Sequence, residues 1–394
     1  MTTNRHYVEA KLKLRSSPLP DTFFTTKYGF SPYRACGHAC AYCDGRAEKY
    51  YVEGDFEKDI VIRQNLPQLL RKEIPKLREF GPISISSGVS DPYQPVEKDE
   101  GLMRKCAEVL IEHQLPVFLM TKSNLALRDL DLWQKVNDSA GMTLMISLVF
   151  LDDKEREIFE PGASTVAERI DLIRAFKEAG VDVAVSAMPF LPYINDSAHH
   201  LEELFRQLKE LEVSHVIPGE LTLRPGRQKD CCFAKIKKNY PKLMRKYEHL
   251  FGENRQSGVC RSSYHKPFRK LLEEKLTKHN LPQACPHNIY RDRFAIYDEV
   301  YILLSHMKGL YRLRNIDVRP LKVALKRYAS WLVGEKKSFN RKRSIGYDTL
   351  VQSLQFLCRT GELEKMLGNQ KLATFLEKVI LERRIFDYET LRLL

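Results

Sequence analysis

The stretch "SPYRACGHACAYCDGRAEKYY" (31–51) gathers three of the chain's nine cysteines, Cys36, Cys40 and Cys43, at a spacing of Cys-x3-Cys-x2-Cys. Three thiolates this close point to metal. A structural zinc site closes its shell with four protein ligands, and ferredoxin-type clusters also take four cysteines. Three ligands leave one position open. On a cubane of four irons, that open iron can take a small ligand and pass it an electron. A loop of successive backbone amides balances the negative charge of such a cluster, and Gly37 is the expected point of tight curvature. The competing reading is a zinc site completed by His38 or a distant cysteine, in a nucleic-acid-binding protein without catalysis. Iron and sulfide content separates the two.

The elements that must position this loop follow an α/β rhythm. From residue 24 to about 225, short apolar runs alternate with amphipathic stretches. The expected strands are a run near 23–30, then "ISIS" (83–86), "VFLMT" (117–121), "MTLMISLV" (142–149), "VDVAVSAM" (181–188) and "HVIPGELTL" (215–223). Helical periodicity falls between them, including "VIRQNLPQLLRKEI" and "STVAERIDLIRAFKEAG". The latter opens with Thr165 and Glu168 at capping-box spacing and closes on Gly180. Six strands alternating with helices imply a parallel sheet with right-handed crossovers. A partly closed barrel and an open doubly wound sheet both fit this rhythm. Beyond 235 the pattern is helical. The expected division is an N-terminal segment (1–23), an α/β body (24–235) and a basic, mostly α-helical C-terminal domain (236–394). The most linker-like stretch is 334–346.

Of the 394 residues, 43% are hydrophobic and 29% charged, proportions of a soluble globular protein. No apolar run is long enough to span a membrane. The first residues lack the apolar core of a secretory signal. An odd number of cysteines then points to a reducing, cytoplasmic setting where thiols stay available for metal. Cys106, Cys231, Cys232, Cys260, Cys285 and Cys358 form no CxxC pair and read as unligated thiols. Net charge is +13, and residues 301–394 carry 19 Lys/Arg against 9 Asp/Glu, while the preceding 300 carry 45 against 42. The run Lys336–Arg343 is therefore the expected phosphate-contact region. Phe294, Tyr297, Tyr301 and Leu304 recur at helical spacing and read as a buried helix face.

CxxxCxxC with an aromatic residue before the third cysteine, placed after the first expected strand, resembles the radical S-adenosylmethionine (radical SAM) superfamily. That resemblance implies a partial (β/α)6 barrel of the TIM type, a [4Fe–4S] cluster held by Cys36, Cys40 and Cys43, and S-adenosylmethionine as cosubstrate. The sequence is most similar to the spore photoproduct lyase-like branch, over about residues 25–225. The matching stretches are "CGHACAYC", "SGVSDPYQP" (87–95), "MTKS" (120–123), "ISLV" (146–149) and "FEPG" (159–162). By motif, the resemblance implies that Ser90, Lys122 and Ser147 contact S-adenosylmethionine, with Tyr42 near its adenine. A lysine suits the cosubstrate carboxylate, and hydroxyls suit its polar groups. Ser90, Lys122 and Ser147 fall at strand ends, the rim where barrel enzymes place their sites. Asp91, before Pro92, reads as a turn initiator.

Two departures matter. Gly88 stands where those lyases carry the cysteine that returns a hydrogen atom, and Asp44 stands where they carry a tyrosine. The resemblance thus implies a relative with a different, open substrate. It also implies an electron donor such as flavodoxin or ferredoxin, and nucleic acid as a partner, since the lyases act on DNA.

Overall fold

Apolar runs separated by amphipathic stretches become neighbouring strands when each crossover covers the sheet with a helix. The computed structural model describes residues 3–11, 14, 17–85, 89–341 and 348–394. In chain order the strands are β1 (Asn4–Val8), β2 (Tyr28–Phe30), β3 (Tyr33–Arg34), β4 (Asp59–Arg63), β5 (Ile83–Ile85), β6 (Val117–Thr121), β7 (Met142–Ser147), β8 (Asp182–Phe190), β9 (Val216–Glu220), β10 (Phe386–Asp387) and β11 (Arg392–Leu393). One six-stranded sheet runs β2-β5-β6-β7-β8-β9, with β6–β7, β7–β8 and β8–β9 parallel. Strands that neighbour each other in chain order make a partial TIM-type barrel. A doubly wound sheet reverses its strand order and is set aside.

Register places the polar strand ends together. Met120 pairs with Met145, and Ser147 with Ser186. Because side chains alternate across a strand, Met120, Met145, Ser147 and Ser186 share one face, and Lys122 follows Met120 by two residues. The helix Val166–Glu178 begins with the expected capping box, Thr165 and Glu168 each accepting from the other's backbone N–H. Gly180 at φ +77° ends that turn.

A second sheet was not legible in advance. Strand β1 pairs parallel with β4, and β3 pairs antiparallel with β4. Every residue of β1 is exposed, so no alternation marked it. The stretch expected as one helix from Val61 divides instead: Ile60 and Ile62 alternate into the interior within β4, and the helix begins at Leu66.

The described chain forms two compact units. The first comprises residues 1–13, 29–73 and 84–283; the second comprises 14–28, 74–83 and 284–394. Helices Arg227–Asn239, Met244–Phe251 and Ser262–Lys278 pack within the first. The second is helical, with a core that includes Tyr297, Leu303, Tyr328, Leu332, Leu350 and Leu376, and ends in the β10–β11 hairpin. Phe294, Tyr297 and Leu304 are buried there as the periodicity expects, and Tyr301 is half-buried.

Two expectations about the tail are corrected. Residues 334–341 are not a linker; they complete the helix Arg319–Arg341. Lys336 is not a phosphate contact. Its side chain is only 2% exposed, and its Nζ lies 2.6 Å from Asp298, 2.7 Å from Glu79 and 2.9 Å from the Pro18 carbonyl. Lys27 meets the same two carboxylates at 2.6 and 2.7 Å. Two buried carboxylates need buried cations, and Lys336 is one of them. Lys337 is exposed; the side chains of Arg341, Lys342 and Arg343 lie outside the described residues, as does Gly88. No described helix is long and apolar enough to cross a membrane.

Candidate functional site

The cysteine loop leaves β3 and is held mainly by backbone. Cys36 and Cys40 are buried, Cys43 is half-buried, and all three thiols are free. Ala39 N–H donates to the Cys36 carbonyl (3.2 Å) and Cys43 N–H to the Cys40 carbonyl (3.3 Å). The curvature comes from Ala35 and Ala39, at φ 65° and 54°, and not from Gly37. External ties fix the loop at both ends. Cys36 N–H donates to the Phe56 carbonyl (3.0 Å), Gly37 N–H to Gln94 Oε1 (2.8 Å), and Arg46 Nε to the Cys40 carbonyl (2.9 Å).

The stretch "FEPG" is the principal brace. Ala41 N–H donates to the Phe159 carbonyl (2.8 Å), and Gly162 N–H donates to the His38 carbonyl (3.0 Å). A Cβ on Gly162 would lie 2.4 Å from the Gly37 carbonyl oxygen and 2.9 Å from His38 Cα. Only glycine allows so close an approach.

Glu160, in the same stretch, is 1% exposed and accepts from both the Tyr42 hydroxyl and the Arg169 guanidinium. Lys122 Nζ stands 3.8 Å from it. Burial works to raise the Glu160 pKa, but Arg169 and then Lys122 outweigh it and hold the carboxyl below its ordinary value. Arg169 also donates to the carbonyls of Ser147 (2.8 Å) and Ser164 (3.0 Å). One buried cluster therefore joins Tyr42, Lys122 and Ser147 around a residue to which the motif reading gave no role. A carboxylate quoted in "FEPG" beside the cysteine loop was its only trace in the sequence.

Asp91 does shape a turn, accepting from Tyr93 N–H (2.8 Å). It also accepts from Thr121 Oγ1 (2.7 Å) and Lys122 N–H (2.7 Å), so it sets the start of the "KS" segment. Burial opposes its charge, yet the facing His38, 3.4 Å away, keeps its pKa low. Burial likewise opposes a charged His38, and Asp91 outweighs it, raising the imidazole to about 10. The Ser90 hydroxyl donates to the Ala35 carbonyl (2.8 Å) and accepts from Gln94 Nε2 (3.2 Å).

Asp44 bonds to the Arg224 guanidinium and accepts from Gln228 Nε2 (3.1 Å). The buried Gln228 amide also donates to the carbonyls of Tyr42 (2.9 Å) and Thr222 (2.9 Å). This ties the cysteine loop to the segment after β9. Neither Arg224 nor Gln228 was marked by any local motif.

The donor set fits an iron–sulfur cluster. Burial pushes the Cys40 thiol well up and Cys43 to about 12, with Lys122 opposing both. Such thiols lose their protons when metal takes their place. Among the described residues, no three His, Cys, Asp or Glu side chains converge on the position of a single ion. Lys122 and Arg169 against Glu160 leave one positive charge beside the thiols, favourable to an anionic cluster.

Residues 30–217 match the family model described as the radical SAM superfamily. The chain belongs to the radical SAM superfamily. An uncharacterized protein of Methanocaldococcus jannaschii is 31% identical over 195 residues, covering 49% of this chain and 71% of that protein. An uncharacterized protein of Mycobacterium tuberculosis (strain ATCC 25618 / H37Rv) is 29% identical over 262 residues, covering 65% and 75%. The radical SAM Nalpha-GlyT isomerase of Pseudomonas phage M6 is 25% identical over 189 residues, covering 46% of this chain but 36% of the isomerase. Among solved structures, spore photoproduct lyase complexed with dinucleoside spore photoproduct has a TM-score of 0.52 at 17% identity, covering 71% of this chain and 80% of the lyase. The fold is shared. Membership of the superfamily makes the chain a radical SAM enzyme, with a [4Fe–4S] cluster and S-adenosylmethionine as its cofactors.

Proposed function

We propose that Cys36, Cys40 and Cys43 each hold one iron of the cluster and that S-adenosylmethionine binds against Lys122 and Ser147, for hydrogen abstraction from a nucleic-acid substrate. The observation that carries this reading is the seating of the cysteine loop on Phe159–Gly162, which sets Lys122, Glu160 and Arg169 beside the thiols. When bound, the cluster held by Cys36, Cys40 and Cys43 would supply the reducing electron, and S-adenosylmethionine against Lys122 and Ser147 would supply the group that abstracts hydrogen. The protein's part is placement and exclusion.

Lys122 offers the cosubstrate carboxylate a charge-assisted bond. Ser147 presents its hydroxyl on the same sheet face as Ser186. The Tyr42 and Ser90 hydroxyls are committed to Glu160 and the Ala35 carbonyl, so they act by bracing this wall. Buried Phe56 and Phe159 flank the loop and keep water away.

Asp44, bound to Arg224 and Gln228, serves the fold. This supports a reaction different from the lyase's, related to DNA repair chemistry but without that hydrogen donor. A small acidic electron carrier of the flavodoxin or ferredoxin type supplies the electron. Nucleic acid is favoured as substrate by the dinucleoside complex of the structural neighbour.

Anaerobic reconstitution tests the proposal. The native chain should hold about four irons and release 5′-deoxyadenosine from S-adenosylmethionine under a chemical reductant, and replacing all three cysteines with Ala should abolish both. Full iron in the triple variant, or loaded protein without cleavage, overturns the reading.

A further inference from the structure

One part of the barrel rim is far more basic than the averaged charge reveals. Residues 227–278 carry 15 Lys/Arg against 5 Asp/Glu, or +10, so the other residues before 301 total −7. Several of these cations have partners: Arg227 meets Glu48, Arg255 and Arg261 meet Glu253, and Lys275 and Lys278 meet Glu202. Lys237, Lys238, Lys242, Arg245, Lys246 and Lys266 are exposed, and no described carboxylate pairs with them.

These cations are seated at the mouth of the barrel. Tyr240, next to Lys237 and Lys238, stacks on Phe159 at 6.1 Å. Tyr247 donates to the Pro192 carbonyl (3.0 Å), fixing the helix of Arg245 and Lys246 on the loop after β8. Tyr264, two residues before Lys266, packs 5.7 Å from Tyr193 and bonds to Asp196 on that loop. Tyr193 itself is 44% exposed, with the Lys246 ammonium 4.5 Å from its ring centroid. Both segments that anchor the basic helices, at Phe159 and at 192–196, follow the ends of strands β7 and β8.

Like charges crowded on one rim repel each other, and a polyphosphate chain relieves that repulsion. We propose that this rim binds single-stranded nucleic acid, with phosphates on Lys237, Lys238, Lys242, Arg245 and Lys266 and a base against Tyr193. A single strand fits better than a duplex because an exposed aromatic ring such as Tyr193 stacks on an unpaired base. That the strand is also the substrate rests on the radical-enzyme reading; its binding does not.

Fluorescence anisotropy of the full chain with labelled oligodeoxythymidine tests the surface directly. Five phosphate contacts give a log–log salt slope of about −3.5, so a fourfold rise in salt should weaken binding roughly 100-fold. Replacing Lys237, Lys238, Lys242, Arg245 and Lys266 with Gln should remove most of that slope and leave iron content unchanged. Tyr193→Leu should weaken the oligonucleotide about tenfold at unchanged slope, and should leave binding of heparin, which has no bases, alone. Absence of salt-dependent binding by the native chain, equal binding by the Gln variant, or preference for phosphatidylserine vesicles over the oligonucleotide overturns the proposal. Cleavage of S-adenosylmethionine without such binding sinks this inference alone, and binding without cleavage sinks the catalytic reading alone.

Discussion

Gly162→Ala is the perturbation that probes the site most directly, although it lies 119 residues beyond the last cysteine of the motif. Its new Cβ would meet the Gly37 carbonyl oxygen at 2.4 Å, where ordinary contact begins near 3.4 Å. The two backbones must therefore part by about 1 Å, because no side chain stands between them to rotate away. That movement stretches the Gly162 to His38 hydrogen bond, now 3.0 Å, beyond bonding range. Overpacking of this kind costs about 1–3 kcal/mol, and the lost hydrogen bond adds about 1 kcal/mol. The cysteine loop carries the displacement, since His38 lies between Cys36 and Cys40.

Gly37→Ala is the control. Its Cβ would meet Pro95 Cδ at 3.4 Å and Gln94 Oε1 at 3.7 Å, both ordinary contacts. Iron and sulfide per chain after anaerobic reconstitution, with the thermal midpoint of the apoprotein, reads both variants. Gly162→Ala should hold little iron and melt lower, while Gly37→Ala should resemble the native chain. Full iron with an unchanged midpoint in Gly162→Ala would refute the brace, as would equal damage from both variants.

Lys122→Ala should weaken S-adenosylmethionine binding tenfold to a hundredfold, from a lost charged hydrogen bond worth roughly 1.5–3 kcal/mol, with cluster absorbance retained; an unchanged dissociation constant in equilibrium binding counts against its role. Lys336→Met should lower stability by about 3–5 kcal/mol, because Asp298 and Glu79 lose a buried partner; an unmoved denaturant midpoint would show that the remaining Lys27 suffices. His306 is buried between Tyr388 and the Thr22 carbonyl, and burial lowers its pKa to about 4. The unfolded chain, near 6.5, then binds more protons, so stability is full above that value and falls by about 2 kcal/mol on going to pH 5. His306→Gln should flatten that part of the denaturant-midpoint profile, and an identical pH slope in both proteins would refute the assignment.

The order of the six barrel strands was legible because each is apolar and bounded by helical periodicity, and the capping box at Thr165 was legible because its partners are three residues apart. The cysteine motif was legible for the same local reason. What holds the motif in place was not. Glu160, Gly162, Arg224 and Gln228 reach the loop from segments more than a hundred residues distant, and nothing local distinguishes a buried glutamate from a solvated one. Gly37 shows the reverse error, a glycine inside the motif that the turn does not require, since Ala35 and Ala39 adopt the left-handed conformation instead.

Charge was the least legible property, because a count does not say what stands opposite each cation. Lys336 lies in the densest basic run of the tail, yet it faces two carboxylates and is spent inside the helical unit. Lys246 lies in a segment whose charge vanishes when averaged with its acidic surroundings, yet it is exposed, its ammonium 4.5 Å from the Tyr193 ring centroid, and no described carboxylate pairs with it. The two lysines are indistinguishable by composition and opposite in consequence. An ammonium already neutralised by protein has nothing to offer a phosphate, whereas one that faces no carboxylate adds to the positive field of its surface. The candidate nucleic-acid surface is therefore the barrel rim and not the tail, because the segments that anchor its exposed cations, at Phe159 and 192–196, follow the ends of β7, which carries Ser147, and of β8.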